Sequence, residues 1–176
     1  MKKLSPRGQR WLKCFHVLSA GVWVGTAASL ASKQFFLTPS RDAELFGILS
    51  TLDFIDICVL VPGAVGTLVT GLIYSIFTNW GWFRHRWITV KWIICIFGVS
   101  FGTYPLGPWL SSLVRISGQE GLASFQDALF THNRSMLFIF GTFQGLTIAF
   151  AFFVSVLKPW AKKSRGLADT LRPGSR

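Results

Sequence analysis

Three histidines, one intrahelical lysine and two closely spaced aspartates are the residues of this chain whose types and positions can carry chemistry. His16 stands inside the apolar run WLKCFHVLSAGVWVG, residues 11–25. An ionisable side chain within such a run is costly in a bilayer and marks a site by default. Neutral imidazole is a good iron ligand. Lys91 lies at matching depth from the same edge and offers a cation to a propionate or other acid. About five residues at 1.5 Å rise put both roughly 7–8 Å inside the boundary. On the helical face of His16, Ser19, Ala20, Trp23 and Ala27 are small or flat, which leaves room for a planar ligand with Trp23 as a wall. A plainer reading stays open beside this one, in which His16 hydrogen-bonds a backbone carbonyl and Lys91 snorkels to the headgroups.

The remaining candidates divide the same way. His85, between Arg84 and Arg86, reads as a second ligand at the edge His16 uses or as an interfacial loop residue. His132 falls on the opposite side, so the three histidines lack the local spacing of a zinc or copper site. Cys14, Cys58 and Cys95 have no CxxC spacing and read as small buried apolar residues. Asp53 and Asp56, three apart near the outer end of the second apolar segment, face His132 and Arg134 at that rim. They read as half of a structural ion pair or as an entry site for a proton or cation. Gln144 is a lone amide suited to an interhelical hydrogen bond. Phosphate-binding glycine loops, nucleophile elbows and paired-histidine zinc helices are missing from the sequence, which argues against hydrolytic and nucleotide-driven functions.

The elements that position these residues are membrane spans. Of the 176 residues, 51% are hydrophobic and only 14% charged, far from a soluble composition. A hydrocarbon core of about 30 Å needs roughly 20 apolar residues per helix. Windows 11–31, 54–77, 87–106 and 136–157 meet that length. The first is too long for a signal-peptide core and is kept in the folded protein. Pro6 and Gly8 should hold helix formation off until Gln9, and Ser40 is the expected cap of the second helix. Pro62-Gly63 should kink or unwind that helix. The third should break between Tyr104 and Pro108, with a short helix beyond it on the outer surface.

The net charge of +11 belongs to the membrane edges and not to nucleic acid. Fourteen of the 18 cations fall on the side of the two termini and six of the seven acids on the other, which orients both termini toward the cytoplasm. The expected architecture is all-α: an antiparallel four-helix transmembrane bundle over residues 1–160, with a basic cytoplasmic tail over 161–176. Its setting is a bacterial cytoplasmic (inner) membrane. Small residues recur at fourfold spacing in Gly21/Gly25, Gly98/Gly102 and Gly141/Gly145. They suit packing within the bundle or the seam of a homodimer.

The pattern W-L-K-x-x-H followed by W-V-G, here Trp11, Lys13, His16 and Trp23 to Gly25, resembles the first helix of HemJ-type protoporphyrinogen oxidases. Pro62, Gly63 and Gly71, with W-x-x-x-K at Trp87 and Lys91, are similar to that family's second and third helices. Copper-resistance D-type membrane proteins share a related first-helix pattern. The whole chain, including S-V-L-K-P-W at Ser155 to Trp160, looks most like an uncharacterised bacterial four-helix family. The HemJ resemblance implies a b-type haem ligated by His16, with Lys91 essential beside it, and flavin-free porphyrinogen oxidation that passes electrons onward. It departs in helix three, where the family carries a further histidine and residues 93–104 have none.

Three functional expectations follow from these residues and the resemblance. The first is a haem- or porphyrin-binding redox protein with His16 as axial ligand, Trp23, Lys91 and His85 around the cofactor, and a porphyrin or quinone as partner. The second is a copper- or cation-handling membrane protein. The third is a non-catalytic membrane scaffold.

Overall fold

The computed structural model describes residues 4–36, 38–78 and 86–157. Every regular element among them is helical: α1 (Pro6–Phe36), α2 (Asp42–Ile55), α3 (Val61–Phe77), α4 (Arg86–Phe101), α5 (Gly107–Glu120) and α6 (Ala128–Leu157). π-Helical turns at Asp56–Leu60 and Gly102–Leu106 fuse α2 to α3 and α4 to α5. With a 3-10 turn at Gly121–Gln126 following α5, the result is four long helical spans, Pro6–Lys33, Asp42–Phe77, Arg86–Gln126 and Ala128–Ser155, each long and apolar enough to cross a membrane. Their most apolar stretches turn outward, with no more than 22% of the residues buried in the protein. A soluble bundle would bury those stretches, whereas a lipid bilayer covers them, as in a multi-pass membrane protein.

The helix ends differ from the expectation in instructive ways. α1 opens at Pro6, not Gln9. The Ser5 hydroxyl accepts from the Gly8 amide at 3.2 Å, and proline at the first helical position gives up an amide that would have had no partner anyway. α2 is capped at Arg41 and not Ser40. The Ser40 amide instead donates to the Glu44 carboxylate at 2.8 Å, a carboxylate that also complements the positive end of the helix. Asp127 caps α6 through the Phe130 amide at 2.7 Å, so that helix begins before His132.

Pro62 does disturb its helix, through a π-helical turn placed just before it. A proline donates no hydrogen bond to the carbonyl four residues back, here Cys58, and its ring crowds that carbonyl. A widened turn accommodates both. The same device removes the expected break in the third helix. Pro105 lies inside the second π turn and Pro108 just after it, and the chain continues into α5 with no separate surface helix. Leu110, Leu113 and Ile116 recur every third residue along α5. They pack with Leu45, Leu49 and Leu52 of α2 and Phe130 of α6 into the larger buried core. The two fused helices are 36 and 41 residues long, about 20 Å or more beyond the length the hydrocarbon core requires. This leucine core therefore forms a helical head at one end of the spans. Gly121, at φ 57°, ends α5, and the next amide, Leu122, donates to Asp42 at 2.7 Å, tying the head to the start of α2.

Nearer the middle, Trp23, Ala64 and Ile148 form a smaller core. Here glycine lets helices approach closely: a Cβ on Gly63 would stand 3.1 Å from the Trp23 backbone nitrogen. Gly98 and Gly102 also serve internal packing, against Trp23 and Gln144, whereas a Cβ at Gly21 or Gly25 would meet nothing within 4 Å. Cys14 and Cys58 are exposed on the outer surface, contrary to the buried positions expected of them, and Cys95 is half-buried.

Candidate functional site

Among the described residues the bundle holds two separate cavities, one lined by His16 and Lys91 and the other by Trp23, Asp56 and Gln144. The first, about 460 Å³ and open on one side, is lined by the beginning of α1, the end of α3 and the first half of α4, with Ser155 of α6. α3 and α4 touch sparingly, because both pack on other helices, and the space between them is the cavity.

His16 enters this cavity from α1. Its Nδ1 lies 2.8 Å from the Thr70 hydroxyl oxygen on α3. That hydroxyl has one hydrogen, and it is donated along its own helix to the Gly66 carbonyl at 2.6 Å. With that hydrogen on Gly66, the oxygen accepts from a proton on Nδ1, the tautomer that leaves the Nε2 lone pair available. Tyr74 meets the imidazole edge-on, with ring centres 6.0 Å apart. Its hydroxyl donates to the Gln9 carbonyl at 3.0 Å, so this wall is anchored to α1. Gly71 lies beside the ring, where a Cβ would make an ordinary van der Waals contact, 3.7 Å from His16 Cε1.

Lys91 lines the same cavity, with its Nζ 6.0 Å from the centre of the Trp87 ring. Matching depth therefore does bring His16 and Lys91 to one space. Arg10 and Lys13 join them, and no acid lines the cavity among the described residues. In the sequence both count as orienting charges, and Lys13 also belongs to the helix-one pattern, but neither stands out as a cavity residue. Their spacing held the clue, since Gln9, Lys13, His16 and Val17 recur at three- and four-residue intervals and share one helical face. Thr70 carried no such signal, because intrahelical threonines ordinarily bond their own backbone.

The structure places Trp23 elsewhere. It is not a wall of the His16 cavity; it lines a second cavity of about 450 Å³ deeper along the bundle. Seven residues return a helix to nearly the same face but advance it by about 10 Å, so one stripe of α1 serves two spaces. His85 and the tail over 161–176 lie outside the described residues, as do Trp80 and Trp82. The expected ion pair at the outer rim is not formed there: Asp53 accepts from the Ser111 hydroxyl at 3.1 Å, and Arg134 stacks over the Phe125 ring at 5.1 Å. Gln144 does bridge helices, donating from Nε2 to the Gly98 carbonyl at 3.0 Å.

Among the described residues, no three His, Cys, Asp or Glu side chains gather closely enough to hold a metal ion on their own. The chemical capacity of the first cavity is thus one oriented imidazole among flat aromatic walls, in a cationic pocket suited to an anionic, largely apolar ligand. Compared with models of protein families, with curated proteins and with solved structures, the chain matches none.

Proposed function

We propose that this protein is a membrane-embedded redox protein that binds a b-type haem, or a related porphyrin, in the cavity at His16. The observation that carries this reading is the His16–Thr70 hydrogen bond inside a pocket lined, among the described residues, by cations and no acid. Threonine holds the imidazole as a neutral ligand with Nε2 available, the arrangement in which an outer hydrogen bond orients and strengthens a metal-bound histidine. Arg10, Lys13 and Lys91 would pair with the two carboxylates of such a ligand, and Trp87 and Trp92 would cover its apolar body. A haem seated there supplies a one-electron iron couple whose potential the axial ligand and its surroundings tune. The protein's own share is to hold the ring, neutralise its carboxylates and keep water from its faces. The resemblance of Trp11, Lys13, His16, Trp87 and Lys91 to HemJ-type helices supports porphyrinogen as the class of substrate.

We place the protein in a bacterial cytoplasmic membrane as an antiparallel bundle with both termini inside. The charge distribution supports the orientation. The Leu4 amide donates to the Phe77 carbonyl at 3.1 Å, joining the start of α1 to the end of α3, as an antiparallel pairing requires.

The test is the visible absorption spectrum of detergent-purified protein expressed with ample haem. A Soret band with sharp reduced α and β bands, lost in His16→Ala, is the expected result. Wild-type protein that stays colourless after haem addition overturns the proposal.

A further inference from the structure

The second cavity is the chemical opposite of the first. Its lining carries one charged side chain, the Asp56 carboxylate, and among the described residues no lysine, arginine or histidine. Most of the remaining lining is aliphatic or glycine, and no lining residue is common to the two cavities. Both π-helical turns border this second space: Asp56 opens one of them and Gly102 the other. Turns of this kind appear frequently at functional sites.

Asp53 and Asp56 stand three residues apart, yet the structure separates them. Asp53 accepts from the Ser111 hydroxyl at 3.1 Å and does not line the cavity. Asp56 lines it and is half-buried. Among the described residues its carboxylate has no hydrogen-bond or ion-pair partner, and its oxygens are not sealed off by the protein. From Asp56 to Phe77 at the end of α3 is about 30 Å of helix, so the carboxylate stands near the edge of the hydrocarbon core where the leucine head begins. A carboxylate facing an apolar space at that level is costly unless a cation meets it.

We infer that this cavity is a binding site for a hydrophobic organic ammonium, one positive charge on a compact apolar body. The ammonium donates to the Asp56 carboxylate, and the body lies against the aliphatic and glycine wall. A metal ion does not fit. Hard cations take about six to eight oxygen ligands, and no three ligating side chains gather among the described residues. A proton would neutralise Asp56 but leave an apolar space of about 450 Å³ unfilled, a volume in the range of small-molecule sites. A neutral or anionic ligand would leave the carboxylate unanswered. Ile57, Val61 and Val65 line the cavity and are also exposed on the outer apolar surface, which gives such a ligand a way in from the bilayer. The inference does not depend on a haem at His16, which belongs to the other cavity.

The experiment is equilibrium binding of adamantylamine, protonated at neutral pH, to the full chain in nanodiscs of zwitterionic lipid, with empty nanodiscs as the partition blank. Adamantanol, the same aliphatic cage without the charge, is the comparison probe. Saturable binding of the amine is expected, about ten- to hundredfold tighter than that of the alcohol, as one hydrogen bond to a charged group implies. Asp56→Asn should bring the amine down to the level of the alcohol. Asp53→Asn should keep the preference, because Asp53 is held by Ser111 outside the cavity. Gly145 lines the cavity, and a Cβ there would meet nothing within 4 Å, so Gly145→Phe places a ring in the space and should abolish saturable binding of both probes. Helical circular dichroism checks that each variant is folded. The inference is overturned if the alcohol binds as tightly as the amine, if Asp56→Asn keeps the amine's advantage, or if folded Gly145→Phe binds normally. Displacement of the amine by zinc or copper(II) would overturn it too, in favour of a metal.

Discussion

At the scale of single residues, the site depends on a hydroxyl that looks unremarkable in the sequence. His16 and Lys91 stand out because ionisable groups in apolar helices are expensive and rare. Thr70 does not, although its hydroxyl lies at hydrogen-bond distance from His16 Nδ1. Removing that acceptor while keeping the shape should therefore cost ligand affinity without emptying the cavity. Thr70→Val is expected to weaken haem binding by about 10- to 100-fold, the usual effect of losing an outer hydrogen bond to a metal-bound histidine. Thr70→Ser, which keeps the oxygen, should stay close to wild type. Haem titration followed at the Soret band reads both. Lys91→Met tests the other end of the ligand. On the proposed haem reading it should weaken haem binding while sparing the spectrum of the bound form, because it would remove a carboxylate partner and leave His16 in place. Equal affinity in Lys91→Met would remove Lys91 from the site.

The helices themselves were legible from apolar run length, since a bilayer leaves few alternatives to a helix. Their continuity was not. Pro62 reads as a kink and Pro105 with Pro108 as a break, yet each lies in or beside a π turn across which the helix continues. The stripe Leu110, Leu113, Ile116, which seats α5 in the head, does not distinguish a buried helix from one lying on a membrane. Close contact between α1 and α3 is likewise invisible without knowing which glycines face inward. Gly63 has the α1 backbone against it, whereas Gly21 faces open space. Gly63→Ala should thus destabilise the bundle by about 1–3 kcal/mol through overpacking. Gly21→Ala should be neutral or slightly stabilising, because alanine is the better helix former by up to about 1 kcal/mol. Denaturation of the two variants in mixed micelles compares them directly. Equal stability would mean that α1 and α3 do not pack through Gly63.

For the whole molecule, the charge pattern and the structure bear on one question, which end of the bundle faces the cytoplasm. Arg10, Lys13 and Lys91 line the His16 cavity at the end where α1 begins, while the leucine-packed head between α2, α5 and α6 lies at the other. Cations retained on the cytoplasmic side would place the His16 cavity there, open to porphyrin made in the cell, with the head outside. Cysteine labelling decides this once Cys14, Cys58 and Cys95 are replaced by serine or alanine. Arg7 is exposed at the start of α1, and Ala123 is exposed in the head. In intact cells a membrane-impermeant maleimide should modify Ala123→Cys and leave Arg7→Cys untouched. Permeabilisation should then expose Arg7→Cys to the reagent. The reverse pattern would turn the His16 cavity outward, away from the cytoplasmic porphyrin pool. The cations around it would then have to be explained by the ligand they hold, because the orientation rule would no longer account for them.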